Sequence, residues 1–139
     1  MARIDWALLC DLAFLDRQDR LCIVGIVRKL PAPRLPLEIG QMMLVAHLAD
    51  IQPVEEVEIS VALVTPSGLL ITPTCSDCVV VEMAQEYVLV TLRELPLREE
   101  GVYRFQVALK GQSVTSVDIP VLKPARSPIR WFDQKEEVR

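Results

Sequence analysis

The chain is poor in the residues that mark most catalytic, nucleic-acid-binding and membrane-spanning proteins. His47 is the one histidine among 139 residues. A Ser-His-Asp or Cys-His site would have to use it, and no Gly-x-Ser-x-Gly elbow presents a nucleophile. Aromatic residues make up only 5% (two Trp, two Tyr, three Phe). Most of them fall inward by pattern, which argues against a stacking platform for carbohydrate. No Lys/Arg cluster forms a basic patch, the net charge is −4 and the pI is about 5.0. Nucleic acid is therefore not an expected partner. No apolar run approaches the ~18 residues of a membrane helix, so no membrane partner is expected either. Neither a helix-period segment nor an internal repeat stands out.

What the chain does have is aliphatic strand sequence. Hydrophobic residues reach 51%, dominated by Val, Leu and Ile. The length points to one domain, which buries about two-thirds of its unfolded surface and needs no metal or disulfide to be stable. The clearest strand runs over 101–110. Tyr103, Phe105, Val107 and Leu109 fall on one face, and Arg104, Gln106 and Lys110 on the other. Residues 4–15 and 20–29 read as a hairpin across the polar turn Asp16-Arg17-Gln18-Asp19. Gly25 inside the second strand implies a bulge or a close backbone approach. Pro31, Pro33 and Pro36 make 30–36 an extended crossover loop. Further strands are expected over 41–49, 56–65, 69–72, 79–83, 87–94 and 114–122. Thr65-Pro66-Ser67-Gly68 and Lys110-Gly111-Gln112-Ser113 are turns, 95–101 is a linker, and Pro120 puts the last strand at an edge or ends its pairing.

The expected fold is an all-β, antiparallel two-sheet β-sandwich of about eight or nine strands, an immunoglobulin-like Greek key. A barrel is the geometric alternative. The sandwich covers residues 1–122, followed by a charged tail over 123–139. Asp5 and Asp11 interrupt the apolar N-terminal stretch and no small-residue cleavage site follows, so it reads as a first strand rather than an export signal. The expected location is cytoplasmic, with the cysteines as thiols.

Leu8-Leu9-Cys10-Asp11-Leu12-Ala13, a polar turn, and Arg20-Leu21-Cys22-Ile23-Val24-Gly25-Ile26-Val27 open the chain. The proline-bearing loop from Pro31 to Pro36 follows, and Gly101, Tyr103 and Phe105 mark a Gly-x-Tyr-x-Phe strand. This pattern resembles a bacterial family of short single-domain proteins of unknown function. Asp19-Arg20 stands where that family has Gly-Lys, and Val27 where an aromatic often follows Gly-Ile. The resemblance spans about Leu8 to Val121. It implies a β-sandwich and no established activity, and it assigns no site residues.

Cys75-Ser76-Asp77-Cys78 is the one motif with chemical form. It could supply half of a zinc site or a redox pair. No second C-x-x-C or Cys/His pair exists, and no helix is expected to stabilise a thiolate. The ordinary reading is a loop between strands. Cys10 and Cys22 could complete a ligand set only if the first hairpin lay beside this loop. Otherwise they are buried small hydrophobes or a cross-strand disulfide, the latter disfavoured in the cytosol. His47 shares a strand face with Met43 and Val45 and reads as structural or interfacial. Glu55, Glu56 and Glu58 read as a solvated strand face, lacking the loop spacing of a calcium site. Glu82 and Glu86 have no evident partner.

Trp131 and Phe132 are large aromatics in a polar tail. They either fold back or dock on a second subunit or another protein. The first hairpin is apolar on both faces. Leu9 on one strand, and Val24 and Ile26 on the other, are candidate contacts on the side that does not line the core. The expectation is a non-enzymatic interaction module without a cofactor, self-associating as a homo-oligomer (a dimer) or binding another protein. The alternative is a small-molecule or zinc-binding domain at Cys75 and Cys78.

Overall fold

The computed structural model of the chain describes residues 3–18, 20–50, 59–71, 87–109 and 114–123, together with the backbone course of 74–80. Those residues form ten strands in two five-stranded sheets. In chain order they are β1 (Arg3–Leu15), β2 (Leu21–Val27), β3 (Leu30–Pro31), β4 (Leu37–Ala49), β5 (Ile59–Val64), β6 (Leu70–Ile71), β7 (Thr74–Val80), β8 (Tyr87–Leu97), β9 (Gly101–Leu109) and β10 (Val114–Leu122). Sheet A has the order β2-β1-β4-β8-β7, and sheet B the order β3-β10-β9-β5-β6. The expected all-β, two-sheet architecture is what forms. The strand count exceeds the expectation because β3, two residues of the expected crossover loop, pairs as a strand, while β6 falls within the strand expected over 69–72.

Alternation in the sequence explains most of this. Tyr103, Phe105, Val107 and Leu109 of β9 are all buried between the sheets, with Val61 and Leu63 of β5 and Ile119 and Val121 of β10. Leu44, Ala46 and Leu48 of β4 and Val88, Val90 and Leu92 of β8 meet them from sheet A. The Tyr103 hydroxyl accepts from the Arg98 and Glu99 backbone N–H groups (3.1 and 3.2 Å) and donates to the Glu99 carbonyl (3.0 Å). A buried polar atom is thereby satisfied, and the corner between β8 and β9 is fixed. The 65–68 turn closes as expected. Gly68 donates to the Thr65 carbonyl at 2.9 Å and adopts a φ of 93°, which glycine reaches without steric cost.

The proline region does more than cross over. Leu30 and Pro31 pair in parallel with Val121 and Leu122, and Ala32 donates to the Leu122 carbonyl at 2.8 Å. The sandwich is therefore not wholly antiparallel. Residues 95–97, read as part of a linker, belong to β8. They pair with Leu37, Glu38 and Ile39. Burial of Leu95 and Leu97 outweighs the N–H that Pro96 lacks. Pro120 sits in register with Val102, and β10 is an edge over 114–120 among the described residues.

In β4 and β8 the alternation slips once. Ile39 and Met42, three apart, both pack into the core between the sheets, as do Leu92 and Leu95. The slip falls where Glu94 takes a φ of 55°. It keeps two apolar segments of each strand on the same side.

Candidate functional site

Sheet A carries its unusual chemistry on the face turned away from sheet B. Since Leu44, Ala46 and Leu48 of β4 point inward, Met43, Val45 and His47 point outward. Register aligns three outward rows across β1, β4 and β8. They are Trp6, His47 and Tyr87, then Leu8, Val45 and Leu89, then Cys10, Met43 and Thr91.

The first row is built by a bulge. Pairing between β1 and β4 shifts between Ile4 and Trp6, so Asp5 and Trp6 share the space opposite His47. Both side chains reach the histidine. Asp5 Oδ2 lies 3.1 Å from His47 Nδ1, and the Trp6 ring stacks on the imidazole at a centroid distance of 5.6 Å and 12° between planes. Tyr87 tilts against both rings, 5.2 Å from His47 and 6.2 Å from Trp6. The inward placement expected of most aromatics does not extend to Trp6 and Tyr87. Tyr103 and Phe105 do lie inward, but the bulge and the register bring three rings together outside. The signal in the sequence was Asp5-Trp6 itself, an acid and an indole side by side in an apolar strand.

The far end of the hairpin makes a second feature. β1 leaves β4 after Cys10 pairs with Met43, while β1 and β2 stay paired out to Leu15 and Leu21. Leu9 and Val27 pack into the core between the sheets. Ala13 and Ile23, each four residues farther along, pack instead with Cys10, Met43, Val45 and Leu89 on the outward face. Regular strands would keep residues four apart on one face, so both strands turn over between these points. The turnover falls at Asp11 and Gly25, which oppose each other between the pairs Cys10–Ile26 and Leu12–Val24. Gly25 has a φ of 70°, and a Cβ there would collide with the Asp11 carboxylate, whose Cγ lies at 2.9 Å. The close approach expected at Gly25 is therefore real, and Asp11 is what approaches. At the tip Asp16 holds the turn, accepting from the Gln18 and Arg20 N–H groups at 2.8 and 2.9 Å. Those bonds and the Arg20 guanidinium hold its carboxyl below the usual carboxylate range.

Bending one face of the hairpin tip onto sheet A leaves the other face bare. Leu12 and Phe14 are 45% and 44% exposed, and Val24 and Ile26 are each 52% exposed. Leu12 pairs with Val24 and Phe14 with Cys22, so the first three form one patch.

The residues singled out in the sequence fall as follows. Val24 and Ile26 are exposed. Leu9 is not: it is fully buried between the sheets, because it precedes the turnover, and it cannot contact a partner. Trp131 and Phe132 lie outside the described residues, as do Glu55, Glu56, Glu58, Glu82 and Glu86. Cys75 and Cys78 lie on the backbone of β7 rather than in a loop, because this segment finds a partner in β8. Cys75 aligns with Leu92 and Cys78 with Val90, across a register shift between Ser76 and Cys78. Their side chains lie outside the described part of the structure. Cys10 and Cys22 cannot complete a ligand set with them. β1 and β7 are separated by β4 and β8, roughly 14 Å at the usual strand spacing. Nor do Cys10 and Cys22 face each other, since their cross-strand partners are Ile26 and Phe14. Burial pushes the Cys10 thiol up, with Asp11 adding to it and a backbone bond at Leu12 opposing it. That makes Cys10 a poor nucleophile.

Residues 5–122 match the model of a family of unknown function, DUF6941. No curated protein matches the chain.

Proposed function

The chain belongs to this family of unknown function, and from that footing we propose that it is a non-enzymatic interaction module that self-associates through its bent first hairpin. The observation that carries this reading is the patch of Leu12, Phe14 and Val24, exposed because Asp11 and Gly25 turn the opposite face of the same hairpin onto sheet A. The patch holds no charge, so a second copy brings no like-charge penalty. A two-fold contact sets the same apolar surface against itself, the usual form of a homodimer interface. Ile26, paired with Cys10 before the turnover, is exposed on the other side of β2 and stands apart from this patch. The rest of the setting proposed is the cytosol of a bacterium, where Cys10 and Cys22 stay thiols. The Tyr103 corner supports an immunoglobulin-like Greek key, since such sandwiches tie a tyrosine hydroxyl to backbone just upstream.

Size-exclusion chromatography with light scattering at micromolar concentration tests the reading. Twice the chain mass of 15.6 kDa is expected. Phe14→Glu or Val24→Asp should give a folded monomer, while Val114→Asp on sheet B should leave the dimer intact. A monomer at every concentration overturns it.

The second reading is zinc at Cys75 and Cys78. It draws on the β7 register shift, which sets the two cysteines two positions apart along β8. Native mass spectrometry separates the readings, because one zinc ion per chain adds to the mass whatever the subunit count.

A further inference from the structure

We infer that Asp5 and Trp6 form a recognition site for the guanidinium of an arginine on a partner polypeptide. The site lies at the start of β1, on the outward face of sheet A, and does not depend on the hairpin reading.

Three observations carry it. First, the bulge places a carboxylate and an indole on one side of the sheet, opposite a single residue. Second, His47 stacks on the indole at 12° between planes, and Trp6 still keeps 36% of its surface exposed, so the indole is not enclosed. Tyr87 closes one flank with its own ring. Third, the Asp5 side chain is 50% exposed while it holds His47. The nearby cation, Arg3, is engaged by Asp50 at 3.2 Å. The surface thus offers a ring face, negative above its plane, beside a carboxylate, and both favour a cation.

Among cations, the guanidinium fits best. It is flat, so it can lie on the indole, and its N–H groups lie in that same plane, so their edge can reach Asp5 at once. A lysine ammonium is compact and strongly hydrated, and it cannot stack. A neutral sugar would gain the ring contact but not the charge term.

The test uses the full chain carrying Trp131→Phe, which leaves Trp6 as the only tryptophan. Its fluorescence is followed while a short arginine-bearing peptide is added, and again with the same peptide carrying citrulline. Citrulline keeps the shape and removes the charge. A saturable change is expected with arginine and at least a fivefold weaker one with citrulline. Asp5→Asn should weaken arginine binding by a similar factor, with near-UV circular dichroism unchanged. Equal responses to the two peptides, or no saturation with arginine by the order of tens of millimolar, overturn the inference. The two-peptide comparison needs no change at Asp5, so it decides the matter even if Asp5→Asn unfolds.

Discussion

The two outward faces of the sandwich are made from strands of similar length and have opposite chemistry. On sheet B the central strand β9 presents Arg104, Gln106 and Ala108 outward, and Arg104 is paired with Asp118 of β10 at 2.9 Å. On sheet A the central strand β4 presents Met43, Val45 and His47, and Met43 and Val45 are buried there. Residues 42–46 are buried on both faces in succession. A strand whose outward side is as dry as its inward side needs a cover, and the bent hairpin supplies part of it through Ala13, Leu21 and Ile23. Sheet A therefore has a second small core, and sheet B has a surface. The bare patch of Leu12, Phe14 and Val24 is the consequence. Covering one apolar face with an apolar hairpin moves the exposure outward instead of removing it.

Breaking this contrast should be most costly in the second core. Leu89→Ala, at an outward position, should destabilise by about 2–4 kcal/mol, as in an ordinary core. Gln106→Ala, outward on sheet B, should fall within about 0.5 kcal/mol of the parent. Urea unfolding of both variants makes the comparison, and equal effects would show that the outward cluster is not a core.

The bend comes next. Gly25→Ala should cost about 2 kcal/mol, through positive φ and the collision with Asp11. In an Asp11→Ala background the same change should cost about 1 kcal/mol, because the collision with the carboxylate is gone while the φ strain remains. A thermal double-mutant cycle without coupling would mean that Asp11 and Gly25 do not press on each other.

Tyr103→Phe sharpens the sheet B side. It leaves two N–H groups and a carbonyl at the β8–β9 corner without their partner, a loss of about 1–2 kcal/mol by urea unfolding.

The smallest effect should come from the Arg104–Asp118 pair. The Arg104 guanidinium, by hydrogen bonding, holds the Asp118 carboxyl below its ordinary range. The folded protein therefore releases that proton more readily than the unfolded chain. Stability from the pair is present above the ordinary carboxylate range and is lost as pH falls through the depressed folded value. Both groups are exposed, so Asp118→Asn should shift the melting temperature slightly at neutral pH and not at all in high salt.

Sheet B was largely legible in the sequence, because β9 keeps strict alternation and places Tyr103, Phe105, Val107 and Leu109 without exception. Sheet A was legible in its strands except for 37–40 of β4, 74–78 of β7 and 95–97 of β8, and it was not legible in its faces. One bulge at Asp5 and one turnover at Asp11 and Gly25 decide which residues meet, and each reverses the parity on which pattern reading depends. Leu9 and Val24 were placed together as contacts, but Leu9 lies in the core between the sheets and Val24 on the exposed hairpin tip beyond it. His47 was correctly aligned with Met43 and Val45, but its companions Trp6 and Tyr87 come from strands about 40 residues away on either side. No local pattern encodes that meeting. Pro96 hid the end of β8 for the opposite reason, a strong local signal overridden by the core that Leu95 and Leu97 fill.

Strand β4 also sets a timetable. It is the centre of sheet A, and it pairs with β1, which is made before it, and β8, which is made well after it. During synthesis the 42–46 segment can find β1 at once, but its other edge stays open until residues 87–97 have emerged. For that interval a stretch that is buried on both faces in the finished fold is half a sheet with a free backbone edge, the form in which strands recruit one another. Contacts of such long sequence separation also form slowly. The nascent chain is therefore at its most aggregation-prone when about two-thirds of it has been translated, and a ribosome-held fragment ending before β8 should bind chaperone where the full chain does not.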